Sequence, residues 1–127
     1  MERGRTLTFG TAAPWPEEGI IVGHYLFRGT YTAVGIKGVM TEGASSRAAV
    51  IRSLVEGVGG TLECMYWSFG EHDVLAIAEL PDNVAAAALA TSISAGGSAS
   101  VSTTVLLTAD EIDAAGKVQV AYRPAGA

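Results

Sequence analysis

Leu62-Glu63-Cys64-Met65-Tyr66-Trp67-Ser68-Phe69-Gly70-Glu71-His72-Asp73-Val74-Leu75-Ala76-Ile77-Ala78-Glu79-Leu80 is the stretch that decides the fold. Its first part is rich in aromatic and apolar residues and predicts a strand over 62–69. Strict alternation places Leu62, Cys64, Tyr66 and Ser68 on one face, and Glu63, Met65, Trp67 and Phe69 on the other. Gly70-Glu71-His72 is too short for anything but a tight connection. A further strand then runs from Asp73 to Leu80. Its near-continuous apolar core, Val74 to Ala78, predicts that both faces are covered. Two strands joined directly, with helical patterns on either side, set the topology.

Upstream, Val50, Ile51, Leu54, Val55 and Val58 follow helical spacing, with Ser45 or Ser46 as cap and Gly57, Gly59 and Gly60 as the stop. Before them, Ile36 to Glu42 predicts a short helical turn ended near Gly43. His24 to Tyr31 predicts the first strand, with Tyr25, Phe27 and Tyr31 on one face and Gly29 leaving an open spot between them. Downstream, Asp82 or Asn83 caps a helix carrying Val84, Ala88, Leu89 and Ile93, which stops at Gly96-Gly97. Ser98 to Leu107 alternates as a fourth strand. Thr108 and Glu111 then form a capping box ahead of a last helix carrying Ile112, Ala115, Val118 and Val120. The order is that of an α+β, ferredoxin-like βαββαβ sandwich with an extra C-terminal helix. Residues 23–127 form the single domain. Residues 1–22 have no helical or strand period and are expected to be a poorly ordered extension, with Trp15 its one anchor. One reading places the start of translation near Val22.

The chain of 127 residues and 13.0 kDa suits one domain. Thirteen acidic against eight basic residues, a net charge of -5, argue against a basic groove for nucleic acid. No apolar run is long enough for a membrane helix. The single cysteine, Cys64, excludes an internal disulfide, and the composition predicts a cytoplasmic protein.

Tyr25-Leu26-Phe27-Arg28-Gly29-Thr30-Tyr31-Thr32, Gly59-Gly60-Thr61-Leu62-Glu63, Leu80-Pro81-Asp82-Asn83-Val84 and Val105-Leu106-Leu107-Thr108 with Glu111 together resemble the GYD-domain family over about residues 23–115. The naming Gly-x-Tyr-Asp signature falls on Gly70-Glu71-His72-Asp73, where His72 stands at the tyrosine position. The resemblance implies a small bacterial protein of unassigned reaction. It also implies similarity to dimeric α/β barrel proteins, a set that includes cofactor-free monooxygenases and haem-degrading enzymes.

The residues themselves offer few groups for chemistry. His72 and Asp73 are the candidates for moving a proton, with Tyr31 as a hydrogen-bond donor. The plainer reading makes Asp73 a cap on backbone amides and His72 a solvated turn residue. Arg28 is the one charge in an aromatic strand. It either pairs with Asp73, Glu63 or Glu79 or holds an anionic ligand. Tyr25, Tyr66 and Trp67 are candidates to line a ligand cleft, and Lys37 to reach its mouth. No spacing links His24 to His72 as a zinc motif, so no metal and no cofactor are expected. The leading expectation is a homo-oligomeric module that binds a small apolar or anionic molecule or serves assembly, with no nucleic-acid or membrane partner. The alternatives are a cofactor-free monooxygenase- or isomerase-like enzyme, and a haem- or metal-binding protein using His72 or His24.

Overall fold

A computed structural model describes residues 23–127. In chain order the elements are β1 (Gly23–Tyr31), α1 (Ala33–Glu42), α2 (Ala44–Gly57), β2 (Thr61–Trp67), β3 (Val74–Leu80), α3 (Asn83–Ala95), β4 (Ala99–Leu106) and α4 (Ala109–Gly116). The strands form one antiparallel sheet in the order β2-β3-β1-β4. The directly joined pair, β2 and β3, fills one side, and β1 sits between β3 and β4. The molecule is an α+β protein with the ferredoxin-like arrangement. The expectations for residues 1–22, including the anchor at Trp15 and the start near Val22, lie outside the described residues.

Local chemistry explains most helix ends. The Thr32 hydroxyl accepts from the Gly35 amide at 3.1 Å and starts α1. The Asp82 carboxylate accepts from the Ala85 amide at 2.9 Å and starts α3. Thr108 and Glu111 complete both bonds of the capping box on α4. The cap of α2 differs from expectation. Gly43, at φ 95, both closes α1 through its amide to Val39 and opens α2 by accepting from Arg47. Ser45 and Ser46 therefore fall inside the first turn and make no cap. Helix α4 also ends earlier than its pattern suggests, at Gly116. Glycine is a poor helix residue, and Val118 and Val120 beyond it are β-branched and exposed.

The helices cover one face of the sheet. Tyr25, Leu62, Ala76, Ala78 and Leu80 point from the strands into a core closed by Val55 of α2 and by Ala86 and Leu89 of α3. On α2 only part of the apolar stripe is used: Val55 is buried, whereas Val50 and Leu54 are about 40% exposed. The sheet is therefore covered on one side in the single chain, and Leu75 and Ile77 on the other side are only half-buried. The expected cover on both faces of β3 is not supplied by the described residues.

Tyr25 shows how the core is pinned. Its hydroxyl donates to Asn83 Oδ1 at 2.6 Å, tying β1 to the first turn of α3. Burial first, and then the nearby Asp82 carboxylate, push its phenol above the ordinary value of 10.0. Burial pushes Tyr31 upward too. The unfolded chain ionises these phenols near pH 10, while the folded chain holds on to their protons. The folded state thus binds more protons above that point, and stability present below about pH 10 is lost as pH rises through the folded values. Thermal unfolding followed from about pH 9 to pH 11 is expected to show a falling Tm. A flatter profile is expected for Tyr25→Phe, and an identical slope would contradict this account.

Candidate functional site

A cavity of about 470 Å³ lies between the sheet and the helices. Its floor is unusually thin. Phe27 and Gly29 of β1, Ala76 and Ala78 of β3 and Val101 of β4 carry mostly short side chains. The walls are Val39 of α1, Ile51 and Val55 of α2 and Leu89 of α3. Small residues on the strands leave space between Phe27 and Met65 and the helices that the core does not fill. The open spot expected at Gly29 belongs to this cavity, although Val74 Cγ1 leans into part of it. The volume lies within the range of small-molecule sites, and the lining is predominantly apolar.

Polar groups gather at one end. Tyr31 lines the cavity where β1 ends. Arg47 of α2 and Glu42 of α1 also line it and face each other at 4.0 Å, half-exposed, which marks them as the rim. Trp67 stands beside Val74 in the sheet ladder, and Val74 is part of the floor. Its indole Nε1 is buried and has no hydrogen-bond partner among the described residues. Such a donor normally finds an acceptor. Burial is what chiefly raises the Tyr31 phenol; the neighbouring Trp67 indole and the Arg47 charge oppose it.

The other residues singled out from the sequence are scattered. Tyr25 is spent on Asn83 in the core. Lys37 is exposed on α1, outside the cavity lining. Asp73 Oδ2 accepts from the Tyr31 amide at 2.8 Å, and its own amide donates to Gly29 O at 2.8 Å. It clamps the end of β1, as a cap on backbone amides. His72 Nδ1 lies 3.3 Å from the Thr30 hydroxyl and is half-buried rather than fully solvated. Arg28 points to the face away from the helices and donates to Thr104 Oγ1 at 3.2 Å. It makes none of the three carboxylate pairs considered for it among the described residues, because Asp73 is turned to the backbone and Glu63 and Glu79 lie toward His24. Tyr66, in the same cross-strand row, is 68% exposed.

That outer face also holds a cluster that sequence reasoning missed. A β-bulge between Leu62 and Cys64 makes Glu63 an extra residue in β2. Leu62 consequently shares the helix-covered face with Met65 and Trp67, while Glu63, Cys64 and Tyr66 face outward, which corrects the simple alternation. Glu63 Oε2 then meets His24 Nδ1 at 2.8 Å, and Glu79 Oε2 lies 4.0 Å from the same nitrogen. The hydrogen bond that His24 donates to the Glu63 carboxylate is the main reason that its imidazole is held above the ordinary value of 6.5.

No curated protein and no solved structure matches the chain. The GYD domain matches residues 25–115, from the third residue of β1 to the last turn of α4. That span includes the sheet except Gly23 and His24, and every residue that lines the cavity. By this match over most of its length, the chain belongs to the GYD domain family.

Proposed function

We propose that the protein is a homo-oligomeric module that binds a small, mostly apolar molecule between its sheet and its helices. The cavity of about 470 Å³ carries this reading. The Tyr31 hydroxyl at that end favours a ligand with one polar oxygen there, such as a carbonyl or hydroxyl. Arg47 and Glu42 at the rim neutralise each other and give no strong preference for a charged ligand. An enzyme of the cofactor-free type draws less support. The Asp73 carboxylate is taken up by the Tyr31 amide, and neither His72 nor Asp73 lines the cavity.

The oligomer in this reading forms through the outer sheet face, with a second copy of the chain as its occupant. Leu26, Leu75 and Ile77 make an apolar centre there, with polar His24, Arg28, Ser102 and Thr104 around it. A four-stranded face has a plan area of roughly 450 Å² from strand spacing and rise, against the ~800 Å² per partner of a standard interface. Exposed Ile112, Val118, Val120 and Tyr122, carried beyond β4, offer the remaining apolar surface. Native mass spectrometry of the full chain, purified untagged from its own host, tests both parts. The expected result is a dimer or larger assembly carrying a bound small molecule. A monomer at micromolar concentration overturns the assembly part. Failure of the cavity to take up any of a panel of small apolar carbonyl compounds, followed by Trp67 fluorescence in a Trp15→Phe background, overturns the binding part.

A further inference from the structure

We propose that His24, Glu63 and Glu79 form a binding site for a divalent first-row transition cation of the zinc class on the outer face of the sheet. The three residues come from three neighbouring strands, β1, β2 and β3, and their ligand atoms all lie within 4.8 Å of one another. His24 and Glu79 are direct partners in the β1–β3 ladder, so their side chains leave the sheet together. Glu63 is the extra residue of the bulge, paired with no residue of β3. The β2 partner of Glu79 is Thr61, and regular alternation from buried Leu62 would turn Glu63 outward opposite Ile77. From the bulge its carboxylate reaches the row that holds His24 and Glu79.

The charge arrangement asks for a cation. Two carboxylates close together on one face repel each other. A single imidazole proton, shared with Glu63, offsets only part of that repulsion. A divalent ion replacing the shared proton neutralises both carboxylates with the imidazole uncharged. In a tetrahedral site with metal–ligand distances of about 2.1 Å, the donors stand roughly 3.4 Å apart. Present donor separations bracket that value, at 2.8 Å and 4.0 Å from His24 Nδ1. Rotation of exposed side chains closes the difference without moving the backbone. One nitrogen and two carboxylate oxygens suit zinc, iron(II) or manganese(II). The imidazole disfavours magnesium and calcium, which take oxygen donors. Three protein ligands leave a coordination position for water or an anionic ligand. This site stands on the face opposite the cavity, independent of the ligand proposed there, and at the polar margin of the face assigned above to the second copy.

The test is calorimetric titration of the full chain, stripped with chelator, with Zn²⁺ and separately with Mg²⁺. One Zn²⁺ per protomer with a raised Tm is expected, and much weaker Mg²⁺ uptake. Glu63→Gln and Glu79→Gln are each expected to weaken Zn²⁺ binding about tenfold or more, and His72→Ala to leave it unchanged. Metal-free Glu79→Gln is expected to unfold at the same or a higher temperature than the parent, since it removes repulsion. That result separates lost binding from lost folding. No stoichiometric Zn²⁺ uptake by the parent overturns the proposal. So does uptake that Glu79→Gln leaves intact, or that His72→Ala abolishes.

Discussion

Gly35→Ala is expected to destabilise the protein by about 2 kcal/mol, while Gly38→Ala in the same helix stabilises it by about 0.5 kcal/mol. The contrast rests on what the added methyl meets. At Gly35 it falls on the Ser98 carbonyl group, backbone that has little freedom to yield. The same carbonyl accepts from the Thr32 amide at 2.9 Å, and the Thr32 hydroxyl reaches the Gly97 carbonyl at 3.1 Å. The start of α1 is thus docked on the turn between α3 and β4 by contacts that permit no side chain. Relief requires α1 to move away from β4, which breaks those bonds. At Gly38 nothing lies within 4 Å of the added atom, so the change mainly reduces the freedom of the unfolded chain. Chemical denaturation of both variants measures the two signs. An unchanged midpoint for Gly35→Ala would show that α1 is not held against β4 in solution. Because Val39 of α1 forms a wall of the cavity, the same variant is expected to bind any cavity ligand less tightly.

The order of elements was legible because its signals are local. Helical spacing from Val50 to Val58, glycines at 57, 59 and 60, two strand patterns joined by Gly70-Glu71-His72, and the Thr108–Glu111 box each depend on residues close in the chain. The errors arise where a distant or competing contact decides. Gly43 takes the cap that Ser45 and Ser46 suggest, since a glycine at φ 95 turns the chain before either serine is reached. Arg28 lacks its expected carboxylate because the bulge and the row of His24 draw Glu63 and Glu79 aside. The bulge itself has no mark in Leu62-Glu63-Cys64; β2 is fitted to β3 by burying Leu62 and Met65 together, which alternation forbids. The candidate sites follow the same division. Tyr31 and Trp67 could be picked out as aromatic strand residues; Tyr31 lines the cavity's polar end, and Trp67 stands beside Val74 of its floor. Arg47 and Glu42 could not, because the turn at Gly43 that sets them face to face replaces the cap expected at Ser45 or Ser46. The cavity's sole trace in the sequence is small residues at Gly29, Ala76 and Ala78 on strands that otherwise carry large ones.

Ala76→Leu is expected to abolish ligand retention, lowering affinity by about a hundredfold or more, while raising the stability of the empty protein by about 1 kcal/mol. Ala76 lies at the centre of the sheet, opposite Phe27 on β1 and Met65 on β2, and faces the cavity. A leucine there adds three carbons, which bring roughly 2 kcal/mol of burial before side-chain ordering is subtracted. Elsewhere in a packed core the same change is costly, because neighbours must move. The sign of the stability change therefore reports whether the space above Ala76 is available. Ala78, at the closed end of the same floor, serves as the comparison. It is fully buried and adjoins both Tyr25 and Leu62 in the ladder, where larger side chains already close around it. Ala78→Leu is expected to destabilise by about 2 kcal/mol. Thermal unfolding of the two variants, with native mass spectrometry for the retained ligand, separates the possibilities. If Ala76→Leu is as damaging as Ala78→Leu, the floor at Ala76 is as closed as at Ala78 and offers no place for a ligand. If it stabilises the fold and still retains the small molecule, the ligand lies on another surface. Loss of the ligand with a gain in stability is the pattern of a pocket kept open at the expense of core packing, since natural cores fill such space unless binding requires it.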